Sequence, residues 1–184
     1  MKHLTKFYDV FYCHNDGEGT VRFKTIEERN KFLATLPSFC TITTYETFAC
    51  EALTEAEIER MAIEIRDWLI SHELWMDVNI YFNGKAFATD MNVGGRHEFA
   101  YNNPNKLFVI ENINPNDYFD YAGEILSMSF DGALYDLINY NYGSNLLEEF
   151  NAIFNKYGCY YELGNCWNLT TVYKYEVVKK EDIA

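Results

Sequence analysis

Carboxylates are the commonest chemically active side chains in this chain, which carries 28 acidic residues against 15 lysines and arginines. Glycosidases and metal-dependent nucleases use carboxylates that converge on a pocket. Two pairs lie close together in sequence: Asp117 with Asp120 in a tyrosine-rich turn, and Glu148 with Glu149 on a predicted helix. Adjacent residues on a helix point about 100° apart and seldom converge. Both pairs therefore favour a solvated acidic surface over a catalytic pair.

Histidine and cysteine could supply metal ligands or a nucleophile. The four histidines contain no pair at i, i+3 or i, i+4, so no helical metal pair is expected. The five cysteines are odd in number and have no CxxC spacing, which favours free thiols in a reducing cytoplasm. The sequence contains no GxSxG, HExxH or SxxK motif. We therefore expect no catalytic residues, no metal and no cofactor.

A run of 49 residues, 107–155, contains no lysine and no arginine. A folded segment of this composition projects a negative field. Its tyrosines and asparagines are either core and turn residues or, in an interface, sources of contact area and adaptable hydrogen bonds. The second interpretation predicts one acidic surface that binds a positively charged partner through Glu111, Asp117, Tyr118, Asp120, Tyr121, Glu124, Asp131, Asp136, Glu148 and Glu149.

The formal net charge of −13 limits the classes of partner. Direct binding to nucleic acid or to an anionic membrane surface needs clustered lysine and arginine, which the chain lacks. No apolar run approaches the roughly 20 residues that a membrane-spanning helix needs. The polar, alternating N-terminal residues do not resemble a signal peptide. These features indicate a cytoplasmic protein whose partner has a basic surface.

Capping boxes mark two helix starts, because each side chain can satisfy the other residue's backbone N–H. Thr25 pairs with Glu28 in the first box, and Thr54 pairs with Glu57 in the second. The second helix, 55–71, keeps an apolar stripe at i, i+3, i+4 and i+7. Asp131 and Gly158 mark the start and the end of the remaining helical segments, which are predicted at 132–140 and 145–157.

Alternating and β-branched segments predict the strands. Asn83-Gly84 is a strong hairpin signal, and its register places Ile80 opposite Phe87 in the core. A C-terminal hairpin is expected to turn near Gly164-Asn165. The predicted strands are 6–13, 19–24, 40–50, 75–82, 85–91, 107–111, 124–130 and the two arms of the hairpin within 159–177.

This order of elements lacks a regular βαβ alternation and predicts an α+β fold with a mainly antiparallel sheet. About four helices should pack on one face and leave the other face polar. We expect residues 1–184 to form a single compact domain. Residues 92–105 lose all periodicity, so 94–105 could join two sub-halves, 1–93 and 106–184.

The stretches SMSFDGALYDLINYNYG and FNAIFNKYGCYYELGNCWNLTTVY resemble a segment of small proteins carried on bacterial conjugative elements and phages. The resemblance covers about a third of the chain and includes no catalytic motif, so it implies no site residues. The size, the acidity and the lack of enzyme signatures resemble anti-defence inhibitors of the anti-restriction and anti-CRISPR type. That resemblance implies occupation of the basic nucleic-acid channel of a target protein.

Together these observations predict a non-enzymatic inhibitor in the cytoplasm of a bacterial host. Its partner is expected to be a basic nucleic-acid-handling protein, such as a Cas9-type CRISPR nuclease or a restriction enzyme, whose engagement of DNA it blocks. Two alternatives stay open. One is a small hydrolase or transferase with an unrecognised pocket. The other is an oligomeric accessory protein of a mobile element, with an interface made by its aromatic residues.

Overall fold

The computed structural model describes residues 4–14, 17–120, 122–123, 125–140 and 145–178. The elements within these ranges, in chain order, are β1 (Thr5–His14), β2 (Gly17–Phe23), α1 (Ile26–Leu33), β3 (Thr41–Cys50), α2 (Glu55–Ser71), β4 (Val78–Phe82), β5 (Lys85–Ala88), β6 (Asp90–Val93), β7 (Arg96–Phe99), β8 (Phe108–Glu111), a short 3-10 helix (Pro115–Asp117), β9 (Leu126–Phe130), α3 (Gly132–Tyr140), α4 (Asn145–Lys156), β10 (Cys159–Asn165), β11 (Asn168–Tyr173) and β12 (Glu176–Val177). The predicted α+β class with mainly antiparallel sheet is confirmed, because among the described strands only β12 pairs in parallel.

The chain divides into two compact units. One unit is Leu53–Lys174, and the other contains the described residues before Leu53 together with 175–178. The segment 94–105, expected as a loop between sub-halves, lies inside the first unit. Part of it is strand, since β6 and β7 form a hairpin that turns at Gly94-Gly95, and β8 pairs with β5 beyond it. The expectation of one compact domain over 1–184 stays a prediction.

A six-stranded sheet forms the centre of the Leu53–Lys174 unit, with the order β10-β11-β9-β4-β5-β8 in the described residues. Alternate side chains of each strand point to opposite faces. On one face, Ile80, Met128 and Leu169 join a core that α2, α3 and α4 cover. The predicted helix-covered face is therefore present in this sheet, whereas the opposite face is mixed, because Ala86 and Ala88 of β5 lie in apolar clusters there.

The helix-covered core contains a cluster of aromatic side chains among its aliphatic residues. Phe150 and Phe154 of α4 are fully buried, with ring centroids 5.2 Å apart, and Tyr161 of β10 lies 5.1 Å from Phe154. Trp68 of α2 lies 5.4 Å from Phe150. Rings in such tilted and edge-to-face arrangements add to the free energy that their buried area provides. This cluster fixes α2 and α4 on the sheet.

Local sequence signals determine several element boundaries. Both predicted capping boxes are formed, and α2 spans the predicted residues 55–71. Gly158 ends the segment of α4 with φ 73°, a left-handed conformation that glycine adopts without strain. Asn83 and Gly84 both have positive φ at the β4–β5 turn, and Ile80 pairs with Phe87 as predicted.

The second unit contains a four-stranded sheet with the order β12-β3-β1-β2 in the described residues. Helix α1 packs on it through Phe32, whose ring lies 5.8 Å from Tyr12 and 5.2 Å from Phe23. The four described helices are thus shared between two sheets, with α1 on this one. The sequence expectation placed all of them on one face, because it had no signal for two separate sheets.

A buried ion pair joins the strands of the second unit. Asp9 is 1% exposed, and both of its carboxylate oxygens accept hydrogen bonds from Arg22, at 2.8 and 2.9 Å. The hydroxyl of Thr47 donates to the same carboxylate at 2.7 Å. These hydrogen bonds, led by those from Arg22, hold the pKa of Asp9 below its ordinary value. The pair therefore connects the three strands β1, β2 and β3.

No helix in the described ranges is both long enough and apolar enough to cross a membrane.

Replacement of Phe150 by alanine should destabilise the Leu53–Lys174 unit by about 3–5 kcal/mol, because it leaves a cavity among rings that cannot collapse. Phe99→Ala is the matched control, since Phe99 is 51% exposed, and it should change the free energy of unfolding by less than about 1 kcal/mol. Urea unfolding followed by circular dichroism measures both. Equal losses in the two variants would show that the aromatic cluster does not hold the helices.

Asp9→Asn should lower stability at pH 7 by about 2 kcal/mol, less than for a fully buried pair because Arg22 is one-third exposed. The pKa of Asp9 is lower in the folded protein than its ordinary value of 3.8. The Asp9 carboxylate therefore stabilises the fold above pH 3.8, and this stabilisation is lost as the pH falls through the pKa of the folded state. The stabilities of Asp9→Asn and of the unmodified protein should therefore converge in acid. Urea unfolding at pH 7 and below pH 3.8 tests this, with the exposed Glu46→Gln as control.

Candidate partner-binding site

The face of the six-stranded sheet that the helices do not cover carries hydroxyl and amide side chains on β4, β9 and β11, and apolar residues on β5 and β8. The Tyr81 hydroxyl lies 3.3 Å from the Ser129 hydroxyl, and Ser127 and Thr170 hydroxyls lie 3.3 Å apart. Asn79 donates to Ser129 at 3.4 Å. These side chains form hydrogen bonds with one another, so this part of the face is polar and its polar groups have partners.

Residues 113–120 lie on part of this face, and Phe119 anchors them. Phe119 is 6% exposed and packs edge-on against Tyr81, with ring centroids 5.6 Å apart. The turn before it is closed locally, because Asn114 accepts a hydrogen bond from the Asn116 N–H and the Phe119 N–H donates to the Pro115 carbonyl. Burial raises the pKa of the Tyr81 phenol, which therefore stays uncharged beneath the segment.

The inward position of Phe119 places its neighbours outside. Tyr118 is 61% exposed, and Asp117 and Asp120 are exposed on either side. The Tyr118 ring still lies 6.0 Å from that of Tyr81, so its orientation is restrained by the sheet below. The sequence order D-Y-F-D thus produces two carboxylates and one aromatic ring on the surface above a single buried anchor.

The β10–β11 turn supplies the other side of the site. Trp167 is 40% exposed, and its ring meets Phe119 edge-on at 5.9 Å and 88°. The turn is fixed by the Asn165 side chain, which accepts from the Trp167 N–H at 2.9 Å. A Cβ at Gly164 would clash with the Asn168 side-chain oxygen, so a larger residue here would displace that oxygen from its hydrogen bond with the Asn165 N–H.

Residues 116–120 and the β10–β11 turn line a cavity of about 520 Å³ that is open to solvent. Its lining consists of Asn116, Asp117, Tyr118, Phe119, Asp120, Gly164, Asn165 and Trp167. We call Asp117, Tyr118, Asp120 and Trp167 the acid–aromatic site.

The segments that form the acid–aromatic site contain no positively charged side chain. They belong to 107–155 and 157–173, and neither range contains lysine or arginine. Within the described ranges, no ion pair forms to Asp117 or Asp120. Carboxylates attract guanidinium and ammonium groups, and the faces of Tyr and Trp add cation–π attraction. The arrangement can therefore accept a cationic side chain.

The other predicted site residues lie elsewhere in the same unit. Glu111 ends the edge strand β8, in register with Lys85. Asp131 accepts a hydrogen bond from the Gly132 N–H at 2.8 Å, at the start of α3, and Asp136 is exposed on that helix. Glu148 and Glu149 are exposed on α4. Tyr121 and Glu124 lie outside the described residues.

The expectation of one continuous acidic face is therefore corrected. Asp136, Glu148 and Glu149 lie on helices that cover one face of the sheet, whereas Asp117 and Asp120 lie over the opposite face. Glu149 also has partners within the protein, because its carboxylate accepts from the Trp68 indole at 3.3 Å and lies 3.5 Å from His72. These acids belong to one stretch of sequence, but they are separated in space, because the chain between Asp120 and Asp136 runs through the sheet as β9.

Asn116, Asn165 and Trp167 belong to the cavity but were not among the predicted site residues. A tryptophan beside a predicted hairpin turn is the one local signal that points to them. The proximity of Asn165 and Trp167 to 117–120 depends on the pairing of β11 with β9. That pairing is long-range and has no signature in either segment.

The comparisons with known proteins give no family assignment. Neither a protein-family model, nor a curated protein, nor a solved structure matches this chain. Among the described residues, no group of three or more His, Cys, Asp or Glu side chains is placed to hold a metal ion.

Trp167 fluorescence should be quenched more strongly by caesium than by iodide, because Asp117 and Asp120 concentrate cations around the indole. The part of the quenching that is present in the unmodified protein and absent in the Trp167→Phe variant is assigned to Trp167. Asp117→Asn/Asp120→Asn should reduce the caesium preference of that component. Glu148→Gln/Glu149→Gln removes the same charge from the other side of the sheet and should leave it nearly unchanged. If both double substitutions reduced the caesium preference equally, the preference would depend on net charge alone and not on the acids beside Trp167.

Proposed function

We propose that this protein is a non-enzymatic inhibitor that binds a basic nucleic-acid-handling protein through the acid–aromatic site. The observation that carries the proposal is the placement of two exposed carboxylates and two exposed aromatic rings around one cavity, with no lysine or arginine in the segments that form it. A guanidinium group fits this chemistry, because it pairs with carboxylates through fixed donors and stacks on aromatic faces.

The charge of the chain supports a basic partner. A formal net charge of −13 repels nucleic acid and accelerates encounter with a cationic surface. Nucleic-acid-handling proteins expose arginine and lysine to neutralise phosphates, so they are the class of protein whose surface best matches. Cas9-type CRISPR nucleases also read their recognition sequence with paired arginines, which are built to grip acceptors.

The separation of the acids limits the kind of inhibition that we propose. A mimic of duplex DNA needs a long series of negative charges on one surface, and the acids of 107–155 lie on different sides of a sheet. The acid–aromatic site instead suits capture of one or a few cationic side chains at a functional surface. The place of action that we propose is the cytoplasm of a bacterial host, where the protein would act as an anti-defence inhibitor.

Binding to purified CRISPR nucleases and restriction enzymes, each measured with a matching DNA-cleavage assay, tests the proposal. Asp117→Asn/Asp120→Asn should weaken binding about tenfold, or 1.4 kcal/mol, and relieve inhibition in parallel. Affinity should also fall as NaCl rises, because exposed charges are screened.

Glu148→Gln/Glu149→Gln is the matched control, because it removes two exposed charges from the opposite side of the sheet. Equal weakening by both pairs, or binding that does not change with salt, would contradict the proposal.

A further inference from the structure

Among the described residues, no strand pairs with the outer edge of β3 between Thr41 and Phe48. β1 pairs along the inner side of β3 from Thr41 to Ala49, whereas on the outer side β12 reaches only Ala49 and Cys50. Within the described ranges no other strand lies beside this edge. The outward backbone N–H and C=O groups of 41–48 are thus placed to pair with a further strand.

The other sheet edges in the described residues carry features that discourage pairing with another chain. β8 is only four residues long and ends in Glu111. β10 contains a register shift between Leu163 and Asn165, which disrupts a straight ladder. β2 contains two glycines, Gly17 and Gly19, on either side of a glutamate. Short length, charge and irregularity are the usual protections of an edge strand.

β3 has fewer of these protections over 41–48, because it is long, regular and carries a single charge that is paired within the unit. Its register with β1 is continuous, and the segment TITTYETF contains no proline, glycine or lysine. Its one charged residue, Glu46, is paired with Lys6 at 2.7 Å. Three large apolar or aromatic side chains of the strand are exposed by about two-fifths: Ile42, Tyr45 and Phe48.

We propose that β3 pairs antiparallel with β3 of a second copy of this chain, with Tyr45 at the two-fold axis. A two-fold axis perpendicular to the sheet keeps each face continuous, so opposed residues must have the same parity in sequence. With Tyr45 at the axis, each Ile42 opposes Phe48 of the other copy, and Tyr45 opposes itself. Aromatic pairs and aromatic–β-branched pairs are among the favourable cross-strand contacts.

The neighbouring symmetric registers are less favourable. Thr44 at the axis would place Ile42 opposite the carboxylate of Glu46. Glu46 at the axis would place two carboxylates directly opposite each other, which is destabilising. The Tyr45-centred register is therefore the one that the side chains select. It also uses the open edge of both copies, so assembly closes at a dimer.

The dimer should respond to salt in the opposite sense from the binding of a basic partner. Each copy carries a formal net charge of −13, so two copies repel each other at long range. Added salt screens that repulsion while leaving the backbone hydrogen bonds and apolar contacts of the edge in place. The dimer should strengthen as salt rises.

Sedimentation velocity over a concentration series of the full chain, at low and high NaCl, tests this inference. The expected result is a reversible dimer of twice the 21.6 kDa chain mass, favoured by high salt. Tyr45→Lys and Tyr45→Glu should each shift the equilibrium to monomer, because like charges then meet at the axis. A 1:1 mixture of these two variants should restore a dimer through opposite charges at the same position.

Tyr160→Lys is the matched control, because Tyr160 is 39% exposed on the edge strand β10, close to the 42% of Tyr45. It should leave the dimer intact, and circular dichroism confirms that each variant is folded. A chain that stays monomeric at every concentration and salt would overturn the inference. So would a dimer that persists in both Tyr45 variants, or a mixture of those variants that stays monomeric.

Discussion

The edge-on contact between Phe119 and Tyr81 is the interaction on which the candidate site depends. Phe119 is the one buried residue of the segment 113–120, and its ring meets both Tyr81 below and Trp167 beside it. Because Phe119 points inward, Asp117, Tyr118 and Asp120 must point outward. One buried ring thus converts a polar, turn-rich sequence into a defined arrangement of carboxylates and aromatic faces.

That contact is possible because the six-stranded sheet has two chemically different faces. The face with Ile80 and Met128 is sealed by three helices, which removes its apolar side chains from water. The other face has hydroxyl and amide groups that bond to one another, and only part of it is covered. The segment 113–120 can therefore rest there without competing with the helix-covered core for the same surface.

Local features of this fold could be predicted from the sequence, and long-range ones could not. The capping box at Thr54 and the turn at Asn83-Gly84 were predicted because a few adjacent residues determine them. The distribution of the acids depends on which face of the sheet each segment reaches, and Asp117 and Glu148 reach opposite faces. The acids of 107–155 are close in sequence, so they were expected on one surface, and that expectation was wrong. The role of Trp167 depends on strand order, which no local pattern encodes.

The indole N–H resonances of the tryptophans test the central claim most directly, in a titration of isotope-labelled protein with an arginine-rich peptide. Trp167 lies in the acid–aromatic site, whereas Trp68 donates to Glu149 on the helix-covered side and Trp75 is fully buried. The account predicts that the Trp167 resonance shifts with peptide concentration while those of Trp68 and Trp75 stay in place. A shift of Trp68 equal to or larger than that of Trp167 would contradict it.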